Sequence, residues 1–127
     1  MLKHAGAFSS FSVNDIQQAK TFYEDSVGLK VNETPEGLEL KVDGGPSVFL
    51  YGKPNHTPAT FTVLNFIVDN VDEAVEQLTR KGVRFQHYTG EIATDEKGIF
   101  RDQERGMSIA WFADPAGNIL SVLQEKK

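Results

Sequence analysis

The chain contains no cysteine. Thiol nucleophiles, disulfides and Cys-ligated zinc are thereby excluded. It has no run of lysine and arginine, and 18 acidic residues against 13 basic ones leave a net charge of −5. Nucleic acid and anionic membrane would both look for a basic patch, so neither is expected as a partner. No apolar stretch approaches the length of a membrane span, and the N-terminus lacks the basic-then-apolar pattern of a signal peptide. The expected location is the cytoplasm. What is present is ordinary for a globular chain: 127 residues, 39% hydrophobic and 24% charged, enough for one domain with a sizeable core.

Alternation over Ala7 to Val13 predicts a first strand, with Phe11 and Val13 on one face and Phe8, Ser10 and Ser12 on the other. Asn14 or Asp15 is placed to cap a helix running to about Ser26, whose stripe Ile16, Ala19, Phe22 and Tyr23 can cover the Phe11/Val13 face. Gly28 follows as a C-cap glycine. Leu29–Thr34, Leu38–Val42 and Val48–Tyr51 read as three short strands, split by Pro35-Glu36-Gly37 and Asp43-Gly44-Gly45-Pro46. Lys53 to Ala59, with two prolines and no periodicity, reads as a linker.

The pattern then repeats. Phe61–Val68 is a strand, Asp69-Asn70 caps a helix with Val71, Ala74, Val75 and Leu78 on its buried stripe, and Gly82 ends it. Val83–Tyr88, Met107–Phe112 and Ile119–Leu123 are the strands expected to follow. Phe11-Ser12-Val13-Asn14-Asp15-Ile16 matches Phe66-Ile67-Val68-Asp69-Asn70-Val71, and Ala19 matches Ala74. The alternative is two unrelated α+β units with the same cap chemistry. Strand face, cap and helix stripe agree together, which favours a true repeat of one βαβββ unit, with modules at about 5–52 and 60–125.

Two stretches carry a family likeness. One is Phe11-Ser12-Val13-Asn14-Asp15 with its helix, Phe22-Tyr23 and Val27-Gly28-Leu29. The other is the turn-rich hairpin Phe112-Ala113-Asp114-Pro115-Ala116-Gly117-Asn118. Together, around an internal repeat, they resemble the vicinal oxygen chelate superfamily: glyoxalase I, extradiol dioxygenases, fosfomycin resistance proteins and bleomycin resistance proteins. The resemblance covers essentially the whole chain. It implies an α+β fold in which two βαβββ modules form a partly open eight-stranded barrel, with helices outside and a site on its concave face.

Metal-using members of that superfamily carry ligands in strands one, four, five and eight. On this chain the resemblance carries those places to Phe8, to Leu50 (Phe49 or Tyr51 if the register slips by one), to Val63 and to Ser121. Phe8, Leu50 and Val63 offer no metal donor and Ser121 a poor one. No metal and no other cofactor is therefore expected, and with the chelate goes its Lewis-acid chemistry. The histidines do not rebuild it. His4 lies about 13 Å along an extended chain from the first place. His56 falls in the linker, and His87 with Glu91 has helical spacing in a stretch that reads as strand. Asp95-Glu96, Asp102 and Glu104 read as a solvated loop face rather than a carboxylate pair.

Strand phase predicts a site lined by Phe8, Ser10, Ser12, Val63, Asn65, Ile67, Ile119, Ser121 and Leu123, with Tyr51, His87 and Trp111 as additions whose phase is open. The residues expected to touch ligand are Phe8, Ser10, Ser12, Tyr51, Asn65, His87, Trp111 and Ser121. This mostly apolar set suits an uncharged or aromatic small molecule, with Trp111 and Phe8 available to stack on a planar ring. Val63, Ile67, Ile119 and Leu123 could equally fill a core. Asn65 and Ser121, if buried, need partners, and a ligand or a water would serve. The span Thr89–Gly106 is long for a hairpin connection: either a flap over the site, or a loop in which Gly98-Ile99-Phe100 forms one more short strand or turn. Phe100 must bury against the site, the core or a partner subunit.

The first expectation is a metal-free small-molecule-binding protein, which the resemblance to the bleomycin resistance branch further implies to be a homodimer. The second is an enzyme: a glyoxalase- or dioxygenase-like activity with atypical ligands, or metal-free acid–base catalysis by His87 or Glu91.

Overall fold

Asp15 and Asn70 start the two helices in the same way. Each stands in an extended conformation, φ −142° and −141°, and each accepts the backbone N–H three residues on, from Gln18 at 3.1 Å and Glu73 at 3.0 Å. That side-chain oxygen satisfies a donor the first helical turn leaves open. Gly28 and Gly82 lie just beyond the helices at φ +86° and +91°, a conformation that suits glycine because it has no Cβ. The structure, a computed structural model, describes residues 1–125.

In the first unit, which ends at Thr57, β1 (Ser9–Val13) leads into α1 (Ile16–Thr21), and a π-helical turn prolongs α1 over Phe22–Ser26. β2 (Lys30–Thr34), β3 (Gly37–Lys41) and β4 (Val48–Gly52) follow, and the sheet order is β1-β4-β3-β2, with β1 and β4 parallel. The second unit begins at Pro58. It runs β5 (Thr62–Ile67), α2 (Val71–Arg80), β6 (Ile99–Asp102), β7 (Met107–Ala113) and β8 (Ile119–Glu125) in the order β5-β8-β7-β6, with β5 and β8 parallel. Each unit is therefore one βαβββ module of identical topology, and the fold is α+β. Among the described residues no helix is long and apolar enough to cross a membrane.

Each helix covers one face of its own sheet. α1 lies on β3 and β4, and its Ala19 and the following Tyr23 are buried with Val13, Leu38, Leu40, Val48 and Leu50. α2 lies on β7 and β8, burying Val71, Val75 and Leu78 with Ala110, Phe112, Leu120 and Val122. A helix of ten residues is marginal alone in water, so this packing is what sustains α2. Each buried Val or Leu side chain contributes about 1.5–3 kcal/mol.

One strand stands elsewhere than alternation predicts. Val83–Tyr88 forms no regular strand; it makes one bridge, Phe85 to Phe112, and one bond from Gln86 N–H to the Trp111 carbonyl at 2.8 Å. The reason lies on β7. Residues 99–102 take the edge of β7 over 107–110, with Ile99 opposite Ala110 and Phe100 opposite Ile109. Only Trp111, Phe112 and Ala113 are left for the segment after α2. The second strand of the second module is thus β6, inside the span Thr89–Gly106. Of the two readings of that span, the short strand is the one formed, and a single 3-10 turn over Gly90–Ile92 takes up part of the rest.

Charge fastens this span to α2. Asp72, in the helix's first turn, accepts from Arg101 at 2.8 Å and from Lys97 at 3.5 Å, and Lys97 also reaches Glu76 at 3.4 Å. Asp95 turns back to accept the N–H groups of Ile99 and Lys97, both at 2.9 Å. The Arg101 hydrogen bond holds the Asp72 carboxyl below its ordinary range. Burial pushes the Asp95 carboxyl up, but the two N–H groups and Arg101 outweigh it, and the net shift is downward.

Two predictions follow from the fold. Asp114, 5% exposed in the β7–β8 turn, accepts from Ala116 N–H, Asn118 N–H and Asn118 Nδ2, each at 2.9 Å. Asp114→Ala strands those donors and is expected to cost about 2–3 kcal/mol in urea unfolding. For Asp72 the folded pKa lies below the unfolded one. Its contribution is therefore present at neutral pH and lost as pH falls through the lowered folded value. Urea midpoints of Asp72→Asn and the parent should differ at neutral pH and converge in acid below the ordinary aspartate range. They should also converge with added salt, since the pair is solvent-exposed.

Candidate functional site

The helices leave one face of each sheet uncovered on its own unit. On the first sheet, cross-strand register puts Ser10 beside Phe49 and Ser12 beside Tyr51, on the face away from α1. Ser12 Oγ and His56 Nδ1 share a hydrogen bond of 2.6 Å, and both side chains are half-buried. The bond ties the segment after β4 back to β1, as does Lys53 N–H to the Val13 carbonyl at 2.9 Å. Tyr51 is 39% exposed. Phe8 precedes β1, which starts two residues later than the alternation suggested, and is 71% exposed.

On the second sheet, Asn65, Ser121 and Trp111 stand in one row across β5, β8 and β7. Leu123 and Ile109 form the next row with Ile67, which is 73% exposed although apolar. Trp111 holds the centre of an aromatic group. Phe100 stacks on it with ring centroids 6.2 Å apart and planes at 21°, and Tyr88 meets it edge-on at 5.5 Å. The Tyr88 hydroxyl donates to Gln86 Oε1. Phe100, an apolar residue in a charged span, is thus accommodated against Trp111.

Several expected site residues sit differently. Ser121 is fully buried, and its hydroxyl donates to Asn65 Oδ1, so the two residues partner each other rather than waiting for a ligand or a water. His87 is not with Trp111. Phe85 and His87 follow one phase and Gln86 and Tyr88 the other. Phe85 packs on Phe112 at 5.4 Å, on the α2 side, and His87 borders a groove against α2. Val63 is the extra residue of a β-bulge: Thr62 pairs with Ile119 and Leu64 with Leu120. The bulge breaks the alternation that grouped Val63 with Asn65. Leu50 pairs with Phe11 and is fully buried on the α1 side, so the residues of β4 on the uncovered face are Phe49 and Tyr51. Tyr88 and Phe100 escaped the expected site. The signal available for them was the register of β6 and β7, which alternation in a charged span does not give.

A chelate would need carboxylate or imidazole groups converging on one point. Phe8, Val63 and Ser121 supply none, and neither does Leu50 nor its neighbours Phe49 and Tyr51. Among the described residues, no three His, Asp or Glu side chains come together as metal ligands. The residues present do not fit the family's metal.

A family model described as the glyoxalase/bleomycin resistance protein/dioxygenase superfamily matches residues 2–122. The chain belongs to this superfamily. Among curated proteins none matches it. Its fold is shared with TnmS3, an antibiotic binding protein from Streptomyces sp. CB03234, at 23% identity over 99% of both chains and a TM-score of 0.71. It is shared with the lactoylglutathione lyase of Agrobacterium tumefaciens at 21% identity, covering 96% of this chain and 94% of that one, with a TM-score of 0.68. It is shared as well with the fosfomycin resistance protein FosX of Listeria monocytogenes, at 12% identity over 99% and 96% of the chains, TM-score 0.72. A superfamily that spans a binding protein and a lyase leaves the activity to be argued from the site.

The Ser12–His56 bond predicts a measurable coupling. In a double-mutant cycle with Ser12→Ala and His56→Ala, followed by urea unfolding, the coupling energy should be about 0.5–1.5 kcal/mol. A coupling of zero would show that the bond contributes nothing to holding this segment on β1.

Proposed function

We propose that the chain is a metal-free small-molecule-binding protein that takes an uncharged or aromatic compound on the uncovered sheet faces. The observation that carries this reading is the aromatic group on the second sheet. Trp111 stands between Phe100 and Tyr88 on a face rich in Ile109, Ile67 and Leu123. A flat, rigid, apolar surface with one polar neighbour, Asn65, offers stacking and area rather than charge. On the first unit, taken by itself, this reading assigns Tyr51, Ser10, Ser12 and Phe8 to the uncovered face. Ser121 would act through Asn65, by holding its carbonyl oxygen, and His87 lies on another face and takes no part.

The donor set at the family's ligand places supports the metal-free part. Likeness of fold to an antibiotic binding protein agrees with binding of a small molecule. A cytoplasmic homodimer belongs to the same reading, since exposed Ile67, Phe61 and Phe8 offer apolar surface for a second copy or a ligand.

The test uses protein purified without chelators. Elemental analysis should find no stoichiometric nickel, zinc, manganese or iron, and finding one would overturn the metal-free reading. A thermal-shift screen of uncharged aromatic compounds should then yield hits, because a ligand of the native state raises Tm. For a hit, fluorescence of Trp111, the single tryptophan, should change on binding. Trp111→Leu should weaken binding roughly ten-fold, the stacking energy of one aromatic pair. Hits whose affinity ignores Trp111 would sink the assignment of the face.

A further inference from the structure

The second unit carries a groove on its other side, against α2 rather than on the uncovered sheet face. Its volume is about 540 Å³, within the range of small-molecule sites, roughly 300–1,000 Å³. Val75 of α2, Val83 and Phe85 line it, and the first two are almost fully buried. Gly98 packs against two of the lining residues: a Cβ there would stand 2.9 Å from Phe85 Cβ and 3.7 Å from a His87 ring carbon. The chain approaches this closely only because residue 98 is a glycine at φ +86°. The neighbouring wall is pinned by Lys97, whose ammonium reaches Glu76 and Asp72. The groove thus has a packed apolar floor of Val75, Val83 and Phe85 under an exposed charged rim.

Its charge is uneven. Lys97 and Glu76 answer each other. Arg80 and Arg84 also border the groove, and among the described residues neither has a carboxylate within ion-pair distance. Against these two guanidiniums stands one further carboxylate, Glu96. The lining therefore carries one cation in excess, on a chain whose net charge is −5. Arg80 also answers the C-terminal end of the α2 dipole, whereas Arg84 lies beyond the helix with no such duty.

We infer that this groove is a second ligand site, separate from the Trp111 face, for a small monocarboxylate with an apolar or aromatic body. The body would lie on Val75, Val83 and Phe85, and the carboxylate would take a fork of hydrogen bonds from Arg84 with Arg80 beside it. With Glu96 on the same lining, the excess of one cation matches a single negative charge rather than a phosphate dianion. The inference does not rest on the function proposed above, and either can fail without the other.

The probe is 3-phenylpropionate, titrated into the full chain at neutral pH and followed by amide chemical shifts. Its uncharged amide and phenyl phosphate are the controls. Saturable shifts should appear along residues 83–87 and at Lys97 and Gly98, while Trp111 and Ser121 stay in place. The amide and Arg84→Ala should each bind roughly five-fold more weakly, the worth of a partly exposed ion pair near its upper limit. Arg84→Lys should recover only part of that loss, since an ammonium cannot form the fork. Arg84 is exposed and, among the described residues, makes no ion pair, so the variants should fold, and unchanged amide spectra away from the groove check this. Equal binding of the amide, indifference to Arg84→Ala, tighter binding of phenyl phosphate, or shifts confined to the Trp111 face would each overturn the second site. The last of these would leave the proposed function standing.

Discussion

Asp114 holds the β7–β8 turn with both carboxylate oxygens, and the register of the second module depends on it. One oxygen gathers the N–H groups of Ala116 and Asn118; the other takes Asn118 Nδ2. The backbone adds Asp114 N–H to the Asn118 carbonyl and Gly117 N–H to the Asp114 carbonyl, at 2.9 and 3.0 Å. With the turn closed this way, Ala113 must face Ile119, and Trp111 must face Ser121. A slip of one residue would send Trp111 to the α2 side and Phe112 to the other, because side chains alternate strictly along a strand. β8 then serves as the template for β5, so the row Asn65–Ser121–Trp111 descends from one buried carboxylate.

The other edge of β7 shows how competition for hydrogen bonds decides topology. Two segments could pair there. Residues 99–102 win most of the edge, because Arg101 ties them to Asp72 of α2, Asp95 holds the Ile99 N–H, and Ile99 is buried opposite Ala110. Val83–Tyr88 keeps only the end of the strand. That outcome brings Phe100 onto Trp111 on one face, and Phe85 with His87 onto the α2 side on the other. The Trp111 face and the groove against α2 thus arise from the same division of one strand edge.

The sequence made the repeat legible through local chemistry: the caps at Asp15 and Asn70, the helix-ending glycines, the apolar stripes, the turn at Asp114. Each of these acts within a few residues, so a linear reading finds it. What it missed is decided by pairing at a distance. Alternation assigned Val63 to a face without seeing the bulge, and assigned Val83–Tyr88 to the sheet without seeing β6 take its place. It left the phase of Trp111, Tyr51 and His87 open, and only cross-strand register resolves that. The site was therefore legible as a set of strands and only partly as a set of side chains.

Ser121 shows how one fold can change its chemistry at small cost. A metal ligand must keep its lone pairs free of competing donors and aimed at a shared point, which leaves costly buried acceptors until the ion arrives. At Ser121 the requirement is gone. The hydroxyl is fully buried, its proton is given to Asn65 across the strand pair, and no buried polar side-chain atom among the described residues lacks a partner. The Ser121 proton is thus committed within the row, beside the aromatic group of Trp111. The hairpin at Asp114 decides, through register alone, which side chains share that face.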